Sequence, residues 1–187
     1  MSNSEHLYSL VETNLRSNPG SVIFVEDGQK TSFQQFDQLC KQKEQWLRSQ
    51  GIRHGDTVAI WLVNSSQWLA FYFALARIGA TLAPLNTRFK SHEIGYLINK
   101  SQPRLLIMQD QFRKIDFTDI LLNVGRDEVG SLEKIAYVDA SETLPEALHG
   151  IPVISTDTSG NKSSPEDRPD ENGVSILFST SGTTSGP

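Results

Sequence analysis

The sequence predicts an α/β fold, a mostly parallel sheet flanked by helices, on three observations. Short apolar runs rich in β-branched residues recur at Val58-Ala59-Ile60-Trp61-Leu62, from Thr81 to Leu85 and from Arg104 to Met108, and runs of this length read as buried strands. Stretches with helical spacing lie between them, so the pattern over residues 57–108 is strand–helix–strand, which implies parallel pairing through right-handed crossovers. A last apolar run, Val174-Ser175-Ile176-Leu177-Phe178, opens directly into Ser, Thr and Gly, and in parallel sheets ligands lie beyond the carboxyl ends of the strands.

Taken in order, Leu7, Leu10, Val11 and Leu15 share a helical face, which predicts a helix over residues 5–17 that ends at Asn18-Pro19-Gly20. Val22-Ile23-Phe24-Val25 and Lys30-Thr31-Ser32-Phe33 flank Asp27-Gly28, the favoured pair for a type I′ hairpin turn. Ser32 or Thr31 then caps a helix with Phe36, Leu39, Cys40 and Leu47 on one face, and Gly51 stops it. Asn64-Ser65-Ser66 offers a cap for the apolar helix from Trp68 to Ile78, with Gly79 as its C-cap. Ser91 is expected to cap a short helix with Ile94, Leu97 and Ile98 inward, residues 111–123 to form a helix, and Ile135 to Val138 a strand. From Asp139 to Asn172 four prolines and a Thr/Ser/Asn run predict a long exposed connection.

Composition narrows the partners. A net charge of −5 without a long basic run argues against nucleic acid. The single cysteine, Cys40, excludes an internal disulfide framework and sits on an apolar face as a core residue. The polar N-terminus lacks a charged-then-apolar leader, so a cytoplasmic location is expected. The apolar stretch from Trp68 to Leu85 is broken by Arg77, Gly79 and Pro84, whereas a spanning helix needs about 20 apolar residues. His54 and His92 lie beside polar turns, Glu166, Asp167, Asp170 and Glu171 read as a solvated loop, and no His/Cys cluster has metal-ligand spacing.

The terminal stretch carries the chemistry. Phe178-Ser179-Thr180-Ser181-Gly182-Thr183-Thr184-Ser185-Gly186-Pro187 follows a strand. Glycine allows a tight turn that exposes backbone N–H groups, and hydroxyls add donors, a combination that suits phosphate. The Walker A spacing is absent, and on composition alone the stretch could equally be a flexible tail. The order of residues decides for a site: residues 180–187 resemble the T-S-G-T-T-G-x-P-K signature of the adenylate-forming superfamily, which includes acyl-CoA synthetases and peptide-synthetase adenylation domains. Ser185 stands where that family has glycine, and the sequence ends at Pro187, before the family lysine. Gly51-Ile52-Arg53-His54-Gly55-Asp56-Thr57-Val58, Ala83-Pro84-Leu85-Asn86-Thr87-Arg88 and Glu93-Ile94-Gly95-Tyr96-Leu97 are similar to internal acyl-CoA synthetase segments, in the same order. Asn86, Arg88 and Gly79 read as turn and capping residues rather than catalytic ones.

The resemblance implies an incomplete part of the large N-terminal domain of such an enzyme. Residues 1–50 would pack on a second, mostly missing subdomain, and residues 51–187 form the α/β subdomain, with the 139–172 loop and a phosphate loop at 178–187. It implies the joining of a carboxylic acid to AMP from ATP with Mg2+, followed by transfer to coenzyme A. Thr180, Ser181, Gly182, Thr183, Thr184, Ser185 and Gly186 would hold the departing phosphates. No residue is assigned a catalytic or metal-binding role. The 187 residues alone would be inactive, and apolar surface left exposed by truncation would favour a dimer. An adenylation domain serving a carrier protein and a non-catalytic binding module remain as alternatives.

Overall fold

The computed structural model describes residues 8–140, 144–157 and 175–177. Its centre is a six-stranded sheet in the order β4-β3-β5-β8-β10-β9. Here β3 is Thr57–Trp61, β4 Thr81–Pro84, β5 Leu105–Met108, β8 Lys134–Tyr137, β9 Ala147–Leu148 and β10 Ile151–Ser155. The first five strands of that order pair parallel, and β9 closes the edge antiparallel to β10. Residues 175–177 add a parallel bridge outside β4, with Ile176 opposite Leu82, secured by Leu82 N–H to the Ser175 carbonyl (3.0 Å) and Leu177 N–H to the Leu82 carbonyl (2.8 Å).

Two helices leave the sheet in opposite directions. From β3 the chain runs through α3 (Ser66–Ile78) to β4, then through α4 (Ser91–Ser101) back across β3 to β5. Right-handed crossovers that reverse direction put their helices on opposite faces, and strand alternation sorts the core accordingly. Val58, Ile60, Leu82 and Ile107 pack with Phe71, Leu75 and Ile78 of α3. Ala59, Trp61, Ala83, Leu106 and Met108 pack with Ile94 and Ile98 of α4 and with Phe117 and Leu121 of α5 (Phe117–Leu122). Phe71, Leu75 and Ile78 are fully buried, each contributing about 2 kcal/mol through loss of apolar surface from water.

The local signals explain most boundaries. α3 starts at Ser65, whose hydroxyl accepts from Trp68 N–H (3.2 Å), and stops at Gly79 in the left-handed region, φ +78°. The N-terminal hairpin, β1 (Val22–Glu26) and β2 (Gln29–Ser32), turns at Asp27 and Gly28, both at positive φ. Ser32 and Gln35 form a capping box on α2 (Phe33–Ser49). α1 (Ser9–Ser17) packs Tyr8 and Val11 against Phe36 and Cys40 of α2 and Ala70 of α3. α2 in turn lies on α3, with Trp46 and Leu47 entering the core of the main sheet. Glu26 of the hairpin accepts from Ser66 N–H at the start of α3 (3.1 Å).

Three expectations are corrected. Lys90, not Ser91, is the residue before α4, where its N–H donates to Glu93 Oε2 (3.0 Å); Ser91 is already helical. Residues 111–123 are not one helix: β6 (Gln111–Phe112) and β7 (Ile115–Asp116) form a small hairpin before the six-residue α5. Asp116 caps α5 by accepting from Asp119 N–H, so the polar Arg113-Lys114 step becomes a turn. The expected 139–172 connection contains sheet: β10 pairs with β8. Pro152 argued against a strand, but pairing with β8 begins only at Val153, so its missing N–H falls outside that ladder. His149 and Gly150, both at positive φ, make the tight turn between β9 and β10.

Candidate functional site

The chain order β4-β3-β5 makes β3 a topological switch point, where the two crossovers diverge and open a crevice at the carboxyl edge. Three loops wall it: residues 62–65 after β3, 85–90 after β4, and the β6–β7 hairpin after β5. They enclose a cleft of about 590 Å³ lined by Leu62, Asn64, Trp68, Leu85, Thr87, Phe89 and Phe112, among others.

Hydrogen bonds fix each wall. Leu85 N–H donates to the Ile60 carbonyl (2.9 Å), and the buried Trp61 indole N–H donates to the Asn86 carbonyl (3.2 Å). The Asn86 side chain accepts from Arg88 N–H (2.9 Å), an Asx turn that gives Asn86 the local structural role read from the sequence. Val63 N–H donates to Gln109 Oε1 (2.9 Å), and Gln109 Nε2 donates to the Gln111 carbonyl (2.8 Å). The third wall is thus tied to the first across the switch point. Phe117 N–H donates to the Asp110 carbonyl (2.9 Å), closing the base of the β6–β7 hairpin. At its tip Arg113, at φ +58°, lies over the Phe112 ring, 5.0 Å from the centroid.

Arg88 and Lys90 on one of these loops and Arg113 and Lys114 on another are exposed, and carboxylates share the same elements: Glu93 in the first turn of α4, and Asp110 and Asp116 at the base of the β6–β7 hairpin. The amino edge is self-neutralised: Arg104 bonds Asp56 (2.7 Å) and Glu133 (2.8 Å), joining the starts of β3, β5 and β8. The paired Glu133 carboxylate raises Arg104 above the ordinary guanidinium range, and Arg104 holds Glu133 below the usual carboxylate range.

Residues 180–186, the sequence-predicted phosphate loop, lie outside the described residues, as do Glu166, Asp167, Asp170 and Glu171. What is described is their approach: residues 175–177 run parallel to β4, so the chain reaches Leu177 heading for the cleft's edge of the sheet. Cys40 is fully buried in the α1–α2–α3 cluster, and burial pushes its thiol up to about 12. The His54 ring packs over Gly79. Among the described residues no three His, Cys, Asp or Glu side chains gather to hold a metal ion. Reading residue by residue did not single out Gln109, Phe112, Arg113 or Lys114. Their signal was available: they directly follow the strand from Arg104 to Met108, at its carboxyl end.

An open parallel sheet with its crevice at the switch point is a common nucleotide-binding architecture. The AMP-binding enzyme family matches residues 11–187, and the chain belongs to that family. A putative acyl-CoA synthetase of Bacillus subtilis, YngI, is 41% identical over 101 residues, which are 54% of this chain and 18% of the relative. The crotonobetaine/carnitine–CoA ligase of Escherichia coli is 32% identical over 152 residues, 73% of this chain and 25% of the relative. The chain therefore spans about a fifth to a quarter of the length of these curated relatives. Bacillus subtilis O-succinylbenzoate coenzyme A synthetase in complex with AMP superposes with a TM-score of 0.68 at 18% identity, over 97% of this chain and 40% of that one, which shows a shared fold. Among the described residues no helix is long and apolar enough to cross a membrane.

Proposed function

We propose that these residues are the N-terminal portion of an ATP-dependent ligase that activates a carboxylic acid as its acyl-adenylate and transfers the acyl group to coenzyme A. The observation that carries this reading is the order Thr180-Ser181-Gly182-Thr183-Thr184-Ser185-Gly186 immediately after a segment that joins the sheet beside β4. In the first step a carboxylate oxygen attacks the α-phosphorus of ATP, the bond to the bridging oxygen breaks, and pyrophosphate leaves with its electrons. In the second the thiol sulfur attacks the acyl carbon, losing its proton, and AMP leaves. Positioning and charge stabilisation carry such substitutions. Residues 180–186 supply N–H and O–H donors that follow the β- and γ-phosphates as they depart. Magnesium enters with ATP, and no described residue is assigned to it.

For the thiol co-substrate the described residues offer a fit. Coenzyme A carries an adenosine with phosphates at both ends of its ribose and a long, largely uncharged arm. Arg88, Lys90, Arg113 and Lys114 are exposed on the two loops whose aromatic residues Phe89 and Phe112 line the cleft. Cations and ring faces together suit a nucleotide phosphate.

The test is carboxylate-dependent ATP–pyrophosphate exchange by the complete gene product, with fatty, aryl and amino acid pools and the 187-residue chain as control. Exchange by the complete protein and none by the chain supports the reading, and the responding pool names the acid class. A folded, ATP-binding protein with no exchange in any pool overturns it.

A further inference from the structure

We infer that Gln109 is a positioning residue for the thiol-transfer step, holding the β6–β7 hairpin at the spacing the co-substrate needs; this rests on the ligase reading. Switch-point crevices are open by construction of the fold, because neighbouring loops there diverge to opposite faces. In this chain one side chain spans the gap. Gln109 accepts from the backbone of the β3 loop at Val63 and donates to the backbone of the hairpin at Gln111. Both bonds are neutral; the one to Val63 is half-buried and the one to Gln111 is exposed. Their geometric effect falls on the next residues: Phe112 of the hairpin and Asn64 of the β3 loop, two of the cleft's walls, each lie one residue from a Gln109 bond. Arg113 and Lys114 ride on the same hairpin, so its placement also sets where two of the four cations stand. The β4 wall is held independently, by Trp61 and Ile60, and the 175–177 segment bonds to Leu82. Gln109 therefore acts on the hairpin without acting on the approach to the phosphate loop.

That separation gives a readout that general loss of stability would not produce. Adenylate formation is measured by pyrophosphate exchange and thiol transfer by acyl-CoA release, both in the complete gene product. Gln109→Met keeps the length and loses both bonds. Gln109→Glu keeps the acceptor for Val63 and loses the donor to Gln111. Each net hydrogen bond is worth roughly a fivefold change in an equilibrium, so Q109M, which loses both, is expected to raise the KM for coenzyme A by about 25-fold. Q109E should raise it too, while the KM for ATP and the exchange rate stay within about twofold in both variants. Exchange and thiol transfer falling together, or a KM for coenzyme A unmoved in Q109M, overturns the assignment and leaves the ligase reading standing. No exchange by the unsubstituted protein overturns the ligase reading itself. Thermal unfolding of each variant separates a misfolded protein from an unmoved KM.

Discussion

Gly95 sits inside α4, where its missing side chain makes room for a neighbour. A Cβ built there would lie 2.6 Å from Cδ and 2.8 Å from Oε1 of Glu128, and nearer still to Oε2. Glu128 is held in that spot by accepting from Gly125 N–H (3.1 Å), which packs the 125–130 segment onto the helix. Two effects of opposite sign therefore meet in Gly95→Ala. Helix propensity favours alanine by about 1 kcal/mol at an interior position. Evicting the carboxylate, the far end of a flexible side chain, forfeits its hydrogen bond to Gly125, worth about 1 kcal/mol. The two effects nearly cancel, so the net expectation is a change within about 0.5 kcal/mol of zero. In a Glu128→Ala background the obstacle is gone, and the same Gly95→Ala change should stabilise by about 0.5–1 kcal/mol. Urea unfolding of the four proteins of this cycle, followed by tryptophan fluorescence, measures both values and a coupling of about 1 kcal/mol. Equal effects of Gly95→Ala in the two backgrounds would refute the packing argument.

Other perturbations have defined outcomes. Glu44 lies between Arg48 (3.2 Å) and Arg77 on the α2–α3 interface, so Glu44→Ala leaves two guanidinium groups together and should cost about 2 kcal/mol after allowance for their partial exposure, read as a fall in Tm. Glu133 is depressed in the fold by its hydrogen bonds from Arg104. Its contribution is thus present above the unfolded carboxylate range, about pH 4.3, and is lost as pH falls through the lower folded value. Arg104→Met should flatten the acid limb of the stability curve, measured by urea midpoints from neutral pH downward. Cys40, buried and with its thiol pushed up to about 12, should not react with a disulfide reagent at pH 8 except in urea, and steady labelling of the folded protein would contradict that burial.

The sequence exposed the frame of the fold through repetition. Strand-length apolar runs alternated with capped helices at Ser32 and Ser65, and Asp27-Gly28 marked its own turn. Each of these is a local agreement between residue type and backbone demand. What escaped notice was set by partners distant in sequence. β10 is a strand because β8 pairs with it along Ile135, Ala136 and Tyr137, and its own Pro152 pointed the other way. The short β6–β7 hairpin hid inside a helical-looking stretch because Phe117 and Leu121 carry a helix period while Arg113 takes a left-handed turn. The proposed phosphate loop rests on an ordered string of residues from 180 to 186, which lies outside the described residues. The cleft was not legible in the sequence, since it is assembled from three loops more than twenty residues apart along the chain.

The co-substrate proposed above is anionic, whereas the chain is acidic overall. Net charge describes the far field, whereas a bound phosphate senses charges within roughly a Debye length, about 8 Å at physiological salt. At the amino edge Arg104 is neutralised by Asp56 and Glu133; at the carboxyl edge Arg88, Lys90, Arg113 and Lys114 are exposed, with Asp110 and Asp116 on the same hairpin as the last two. If these cations hold phosphate, affinity for coenzyme A in the complete gene product should fall as salt rises, and an Arg113→Ala, Lys114→Ala pair should weaken binding and flatten the salt slope together. The same pair should leave the KM for the carboxylic acid unchanged. Weaker binding with an undiminished salt slope would mean that the hairpin contributes shape through Phe112 rather than charge, and the cationic reading of this edge would be wrong.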